Sequence, residues 1–195
     1  EKAEEPKKVM VIGGGVAGLS AAFIAKERGH EVTLYEAEDV LGGNMRLAAY
    51  PPGKGDITNM IRSYIHRCQK DGVKIVMNCE VTPELIKEEK PDSVIIATGS
   101  KTLILPIEGI DNPAIIHGSD LLDGKRAAGK KVLVVGGGMV GCETAAFLGE
   151  QEHDVTVIEF RDTVGADVIH EHRVYLMKDF EDYGIKEITG AKVCK

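Results

Sequence analysis

Residues 134–145 read VVGGGMVGCETA, and residues 11–22 read VIGGGVAGLSAA. Displacing the chain against itself by 123 positions pairs Val9–Glu36 with Val132–Glu159 without a gap, and 12 of the 28 pairs are identical. A register of that length marks an internal duplication, although one repeat is too few for a solenoid. Each copy has the same order of parts. A short apolar run rich in β-branched residues (VMVI, VLVV) meets three glycines, then a segment of helical period, then a second such run ending in an acid (VTLYE, VTVIE). This is a βαβ unit, and apolar runs without alternation predict parallel strands buried on both faces.

The glycines follow the spacing GxGxxG: Gly13, Gly15 and Gly18, then Gly136, Gly138 and Gly141. The first permits a tight turn out of the strand, the second leaves room for a pyrophosphate at the backbone, and the third allows helix and strand to pack closely. The helix that follows offers free N–H groups and partial positive charge to an anion. An acid stands 18 residues beyond the last glycine in both copies, Glu36 (36 − 18) and Glu159 (159 − 141), placed to accept hydrogen bonds from a ribose diol. The expected fold class is α/β, with two tandem Rossmann-like parallel-sheet units, both truncated. The boundaries expected are 1–105 for the first and 106–195 for the second.

Between the copies, Ile57, Met60, Ile61, Tyr64, Ile65 and Cys68 form one apolar helical stripe ended by Gly72, and VKIVM (73–77) reads as a strand. Thr82 and Pro83 predict the N-cap and first residue of an acidic helix reaching Lys90. SVIIA (93–97) predicts another buried strand, and 100–130 a connector. Leu176, Met177, Phe180 and Tyr183 predict a helix closed by Gly184; IKEIT then reads as a strand and KVCK as the opening of a further one. In the second copy Glu152 stands where the first has Gly29, so that helix ends less comfortably.

Composition excludes some partners. A formal charge of −7 and the absence of any basic run argue against nucleic acid, whose affinity comes largely from neutralised phosphates. No apolar run approaches the roughly 20 residues of a membrane-spanning helix, and the charged start EKAEEPKK has no signal core. Four cysteines far apart, without CxxC, read as reduced thiols, and the expected location is the cytoplasm. The absence of an initiating Met points to a fragment. His170 and His172 flank Glu171, but on a helix they point about 200° apart and do not chelate together, so a solvated face is expected and no metal site. His30 and His153 occupy matching positions before the second strand of each copy, which fits a turn role.

Two dinucleotide cradles in one chain point to electron traffic, with FAD in the first, NADH in the second, and hydride passing from nicotinamide to flavin while the protein orients both. Glu159 favours NADH over NADPH, because a 2′-phosphate faces a carboxylate there; Arg161 works against that preference.

The order of motifs resembles the two-dinucleotide-binding flavoprotein superfamily, with the FAD unit first, an ATG-type strand end (Ala97, Thr98, Gly99) and an inserted NAD unit. The stretch LGGNMRLAAYPPGK (41–54) with the later GGGMVGCETA is similar to the C-terminal flavin-reductase portion of bacterial 2-enoate and 2,4-dienoyl-CoA reductases, trimethylamine dehydrogenase being a more distant relative. The resemblance implies that Ala17 and Glu36 serve the FAD pyrophosphate and ribose. It implies further flavin-nucleotide contacts at Gly43, Asn44, Lys54, Val81 (backbone to adenine), Thr98 and Gly99, and no catalytic side chain in these residues. It also implies FMN and a [4Fe-4S] cluster in an N-terminal TIM barrel outside this chain, where an activated C=C bond is reduced. The disulfide reductases of the superfamily need a CxxC or CxxxxC, absent here, so Cys142 is expected to be a small packing residue. Weak or absent flavin binding is expected of a chain carrying only the front parts of both units. Two other readings stay open: a structural ADP- or FAD-holding module without hydride transfer, and a stand-alone NADH:acceptor reductase.

Overall fold

The computed structural model describes all 195 residues. They form two compact units, one of Glu1–Ala49 with Gly55–Lys101, the other of Tyr50–Lys54 with Thr102–Lys195. No helix is long and apolar enough to cross a membrane.

The first unit runs β1 (Lys8–Ile12), α1 (Val16–Glu27), β2 (Glu31–Tyr35), α2 (Asp56–Lys70), β3 (Lys74–Val76), α3 (Pro83–Glu89) and β4 (Ser93–Ile96). Its sheet has the order β3-β2-β1-β4, and every pair is parallel. Val11, Leu34 and Leu19 are fully buried where β1, β2 and α1 meet, each such side chain contributing about 1.5–3 kcal/mol on leaving water. The stripe on α2 faces α1: Cys68 is buried, and the Tyr64 ring meets the Phe23 ring edge-on at 5.3 Å. Thr82 Oγ1 accepts from Leu85 N–H at 3.3 Å, and Pro83 opens α3 as expected.

The second unit runs α4 (Gly118–Leu122), β5 (Lys131–Val135), α5 (Met139–Glu150), β6 (Asp154–Ile158), α6 (His170–Asp182) and β7 (Lys186–Ile188). Its sheet has the parallel order β5-β6-β7. Cys142, Ala145, Leu148, Val155, Val157 and Phe180 form the core between α5, α6 and the sheet. Burial pushes the Cys142 thiol up to about 11 against the lowering effect of a Gly165 backbone hydrogen bond, and the thiol donates to the Gly137 carbonyl at 3.1 Å, so it is the small packing residue expected. Across the offset, His30 Nδ1 accepts from Lys7 N–H at 3.1 Å, and His153 Nδ1 lies 2.7 Å from the Gly129 carbonyl; both rings brace the entry to a first strand.

Three expectations differ from what is observed. β1 and β2 are buried nearly throughout, but β4 and β5 alternate, with Ile96 76 % and Leu133 54 % exposed. These are the strands at the open edge of each sheet, and nothing in the 195 residues covers their second face. Residues 192–195 are not a strand; after β7 the chain makes only the Gly190 N–H to Arg161 and Ala191 N–H to Glu159 backbone bonds, and then has no ladder partner. The segment 100–130 holds a short helix, α4, seated by the Leu121 side chain on the second core.

The ends of α1 and α5 differ as their residues require. Gly29 takes φ +97° without strain, whereas Glu152 is forced to φ +63°, where its Cβ crowds the backbone. Glu152→Gly is expected to stabilise the protein by about 1 kcal/mol, read as a higher urea midpoint at unchanged slope.

Candidate nucleotide-binding site

In the first unit the strand order reverses direction at β1, which has β2 on one side and β4 on the other. The crevice beyond the carboxyl ends of those strands is where open α/β sheets take their ligands. Three segments converge there. Gly13, at φ +106°, turns the chain out of β1 so close to the Ala97 carbonyl that no side chain fits. Gly18 rests on the Gly13 carbonyl with no space for a methyl group. Gly42 N–H donates to Gly14 O at 2.9 Å, Gly43 lies against the Gly15 Cα, and Asn44 Nδ2 donates to the Ser100 carbonyl at 3.1 Å, just past Thr98 and Gly99. The glycine turn, the 42–44 loop and the ATG end are thus one site.

Glu36 does more than wait for a ribose. Its carboxylate accepts from Gly14 N–H at 2.6 Å and from Glu38 N–H at 2.8 Å, so it holds the turn in shape while keeping lone pairs on its outer side. Cys79 N–H donates to the Glu36 carbonyl at 2.8 Å, which ties the loop bearing half-buried Val81 to the same end of β2. The α1 N-terminus has no capping side chain, Ala17 is exposed in its first turn, and a Cβ on Gly15 would meet nothing within 4 Å. Open space in front of uncapped amides fits a pyrophosphate.

The second unit repeats the hydrogen bonds of this turn, although no strand backbone crowds Gly136 as Ala97 crowds Gly13. Gly136 takes φ +101°, Gly141 lies on the Gly136 carbonyl, and Glu159 accepts from Gly137 N–H at 2.6 Å and Arg161 N–H at 2.7 Å. Those bonds hold the Glu159 carboxyl below the usual range, first through Arg161 N–H and then Gly137 N–H, against the opposing effect of burial. Gly165 N–H closes the turn on Gly137 O at 2.6 Å, as Gly42 does on Gly14. Two features differ. Met139 N–H, at the first turn of α5 just after Gly138, donates to Asp167 Oδ1 at 3.0 Å. β5 has a neighbour on one side only, so the crevice beside this turn is open on the other.

Lys54 is grouped with the second unit, where its ammonium binds the Glu143 carboxylate on α5. The same oxygen lies 3.0 Å from His172 Nε2, and Glu143 is only 7 % exposed. His172 is therefore not on the solvated face expected of it. One turn of α6 carries it onto α5, while His170 stays exposed. Sequence reading missed this cluster, because nothing local pairs residues 54, 143 and 172. It missed Asp167 as well, although a signal was present: continuing the 123-residue offset past Glu159 pairs Gly42 with Gly165 and Asn44 with Asp167.

Two parallel α/β units, each with a glycine turn pinned by an acid from its second strand, define a tandem nucleotide-cradle protein. The chain matches the pyridine nucleotide-disulphide oxidoreductase family over residues 7–195, and it belongs to that family. It is 37 % identical over 190 residues to a bilirubin reductase of Mediterraneibacter gnavus, covering 97 % of this chain and 30 % of that one. It is 42 % identical over 164 residues to a cinnamate reductase of Clostridium sporogenes, covering 84 % and 24 %. Among solved structures, a 2-naphthoyl-CoA reductase in complex with 2-naphthoyl-CoA superposes with a TM-score of 0.93 at 35 % identity, covering 98 % of this chain and 29 % of that one. The resemblance to enoate- and CoA-ester-reductase flavoproteins and the tandem Rossmann-like fold both hold. The chain spans between 24 % and 30 % of the length of these relatives. Despite the family's name, its four cysteines are all free and two of them are buried.

Proposed function

We propose that the chain is the electron-input portion of an NADH-dependent flavin oxidoreductase that reduces activated C=C bonds. The observation that carries this reading is the repetition of one complete cradle, turn and pinning acid together, at Gly13–Glu36 and Gly136–Glu159. In the first, the uncapped amides around Ala17 receive the FAD pyrophosphate, and Glu36 and the Val81 loop receive ribose and adenine. Gly43, Asn44, Thr98 and Gly99 border the flavin side; Lys54, the further flavin contact that the resemblance implies, is instead held by Glu143 within the second unit. In the second, Gly136, Gly138 and Gly141 receive the NADH pyrophosphate and Glu159 its ribose; the carboxylate disfavours the 2′-phosphate of NADPH. FAD bound in the first cradle supplies a two-electron acceptor for the nicotinamide hydride. The protein's part is to fix both nucleotides and to exclude a 2′-phosphate. Residues 1–105 and 106–195 are the FAD and NADH portions in this reading.

The names of the relatives, a cinnamate reductase and a 2-naphthoyl-CoA reductase, support the alkene- or arene-reducing assignment. An N-terminal barrel carrying FMN and a [4Fe-4S] cluster completes the proposed parent enzyme, in the cytoplasm. One observation favours the second reading, a structural module that holds ADP or FAD and leaves the other cradle empty: the Asp167 carboxylate already sits on the α5 amide. Titration calorimetry with NADH, ADP and FAD separates the two. Saturable NADH binding, weakened at least about tenfold by Glu159→Gln, is expected of the electron-input module. ADP binding sensitive only to Glu36→Gln, with no NADH binding, assigns the structural role instead.

A further inference from the structure

In register, the two cradles differ at one chemically decisive position. At the end of the loop that closes each turn, the first unit has Asn44 and the second has Asp167 (44 + 123). Asn44 turns its amide away to the Ser100 carbonyl and leaves the α1 N-terminus uncapped. Asp167 points its carboxylate at the α5 N-terminus: Oδ1 accepts Met139 N–H at 3.0 Å, and its oxygens stand 3.1 and 3.4 Å from where a Cβ on Gly138 would be, the space that is open at Gly15. A carboxylate oxygen and a phosphate oxygen make the same demand on a helix-terminal amide. Both cannot meet it at once.

We propose that Asp167 is an internal stand-in for the nucleotide's pyrophosphate, and that the second cradle binds its dinucleotide only by expelling this carboxylate from Met139 N–H. The inference rests on the reading of the second turn as a pyridine-nucleotide site. Expulsion is feasible because Asp167 is itself exposed, while its neighbours anchor the loop independently: Val164 and Val168 are buried, and Gly165 N–H stays on Gly137 O. The side chain can thus swing away without the loop leaving the turn. The cradle is held in a closed, self-satisfied form until a diphosphate outcompetes one intramolecular hydrogen bond, and affinity is lowered by the strength of that bond. The first cradle has no such competitor, so the two sites differ in readiness although their turns are the same.

Calorimetry on the full chain tests this with NADH and, as a probe lacking phosphate, adenosine. Asp167→Ala is expected to tighten NADH binding about fivefold, the equivalent of one N-cap bond, and to leave adenosine binding unchanged. Asp167→Asn, which keeps an acceptor for Met139 N–H and so guards against loss of fold, is expected to give a smaller gain. In the unliganded protein the Met139 amide resonance should shift in Asp167→Ala toward its position in the NADH-bound wild type. Wild-type NADH binding that is unchanged or weakened by Asp167→Ala overturns the inference alone. A gain shared equally by adenosine overturns it too, since the effect is then not at the phosphate. Absence of NADH binding in all three proteins overturns the underlying reading of the second cradle, and this inference with it.

Discussion

Gly141→Ala is expected to unfold the second unit under conditions in which the wild type is fully native, with a loss of about 3 kcal/mol or more. The added methyl would lie far inside the contact radius of the Gly136 carbonyl, a backbone atom held by the Gly136 N–H to Ile158 bond of 2.8 Å. Neither partner can rotate away, because one is helix and the other is the turn that leads into it. Gly18→Ala makes the same collision with the Gly13 carbonyl and is expected to do the same to the first unit. By contrast Gly15→Ala meets no atom within 4 Å and sits at an extended φ of −70°, so it should fold normally while obstructing a pyrophosphate. Urea unfolding followed by far-ultraviolet circular dichroism distinguishes these; a Gly141→Ala protein as stable as the wild type means that the turn is not built as described.

The second large effect belongs to Glu159. Replacing it with Ala leaves the Gly137 and Arg161 amides without their acceptor; bonds to an ionised group contribute a net value of about 1.5–3 kcal/mol each, and because the Arg161 amide is exposed to water a loss of about 2–4 kcal/mol is expected for the pair. Loss of NADH binding in Glu159→Ala would therefore be ambiguous between a missing ribose acceptor and a collapsed turn, and Glu159→Gln, which retains one oxygen, is the informative variant. The carboxyl also gives stability a pH dependence. Its folded value is depressed below the ordinary glutamate value of about 4.3, so its contribution is complete above that value and is lost as pH falls through the lower folded value. Wild-type stability should drop over that acid window, and the Glu159→Gln protein should show a shallower drop there. Equal slopes for the two proteins below pH 4.3 would remove Glu159 from the account.

Much of the site was legible because its parts are local in sequence. A turn that requires positive φ at Gly13 and Gly136, close packing at Gly18 and Gly141, and an acid at the end of the next strand are all set within 28 residues by sterics that need no partner from elsewhere. The helices and strands between followed from period and capping for the same reason, down to Thr82 as N-cap of α3. The role of Glu36 and Glu159 was only half legible. Their position announces a ribose acceptor, whereas their bonds to Gly14 and Gly137 appear only once the strand is laid beside the turn.

Taken alone, the sequence determined that there are two units, that each is a parallel βαβ cradle, and where each turn and its acid lie, because backbone sterics and hydrophobic period act over a few residues. Tertiary structure decided what faces those turns. It set Asp167 on the α5 amide while Asn44 turned to Ser100, gathered Lys54, Glu143 and His172 from three distant segments, and left one face of β4 and β5 bare. Such outcomes depend on which side chains a folded backbone brings within about 3 Å of one another, a distance that carries no trace in local spacing.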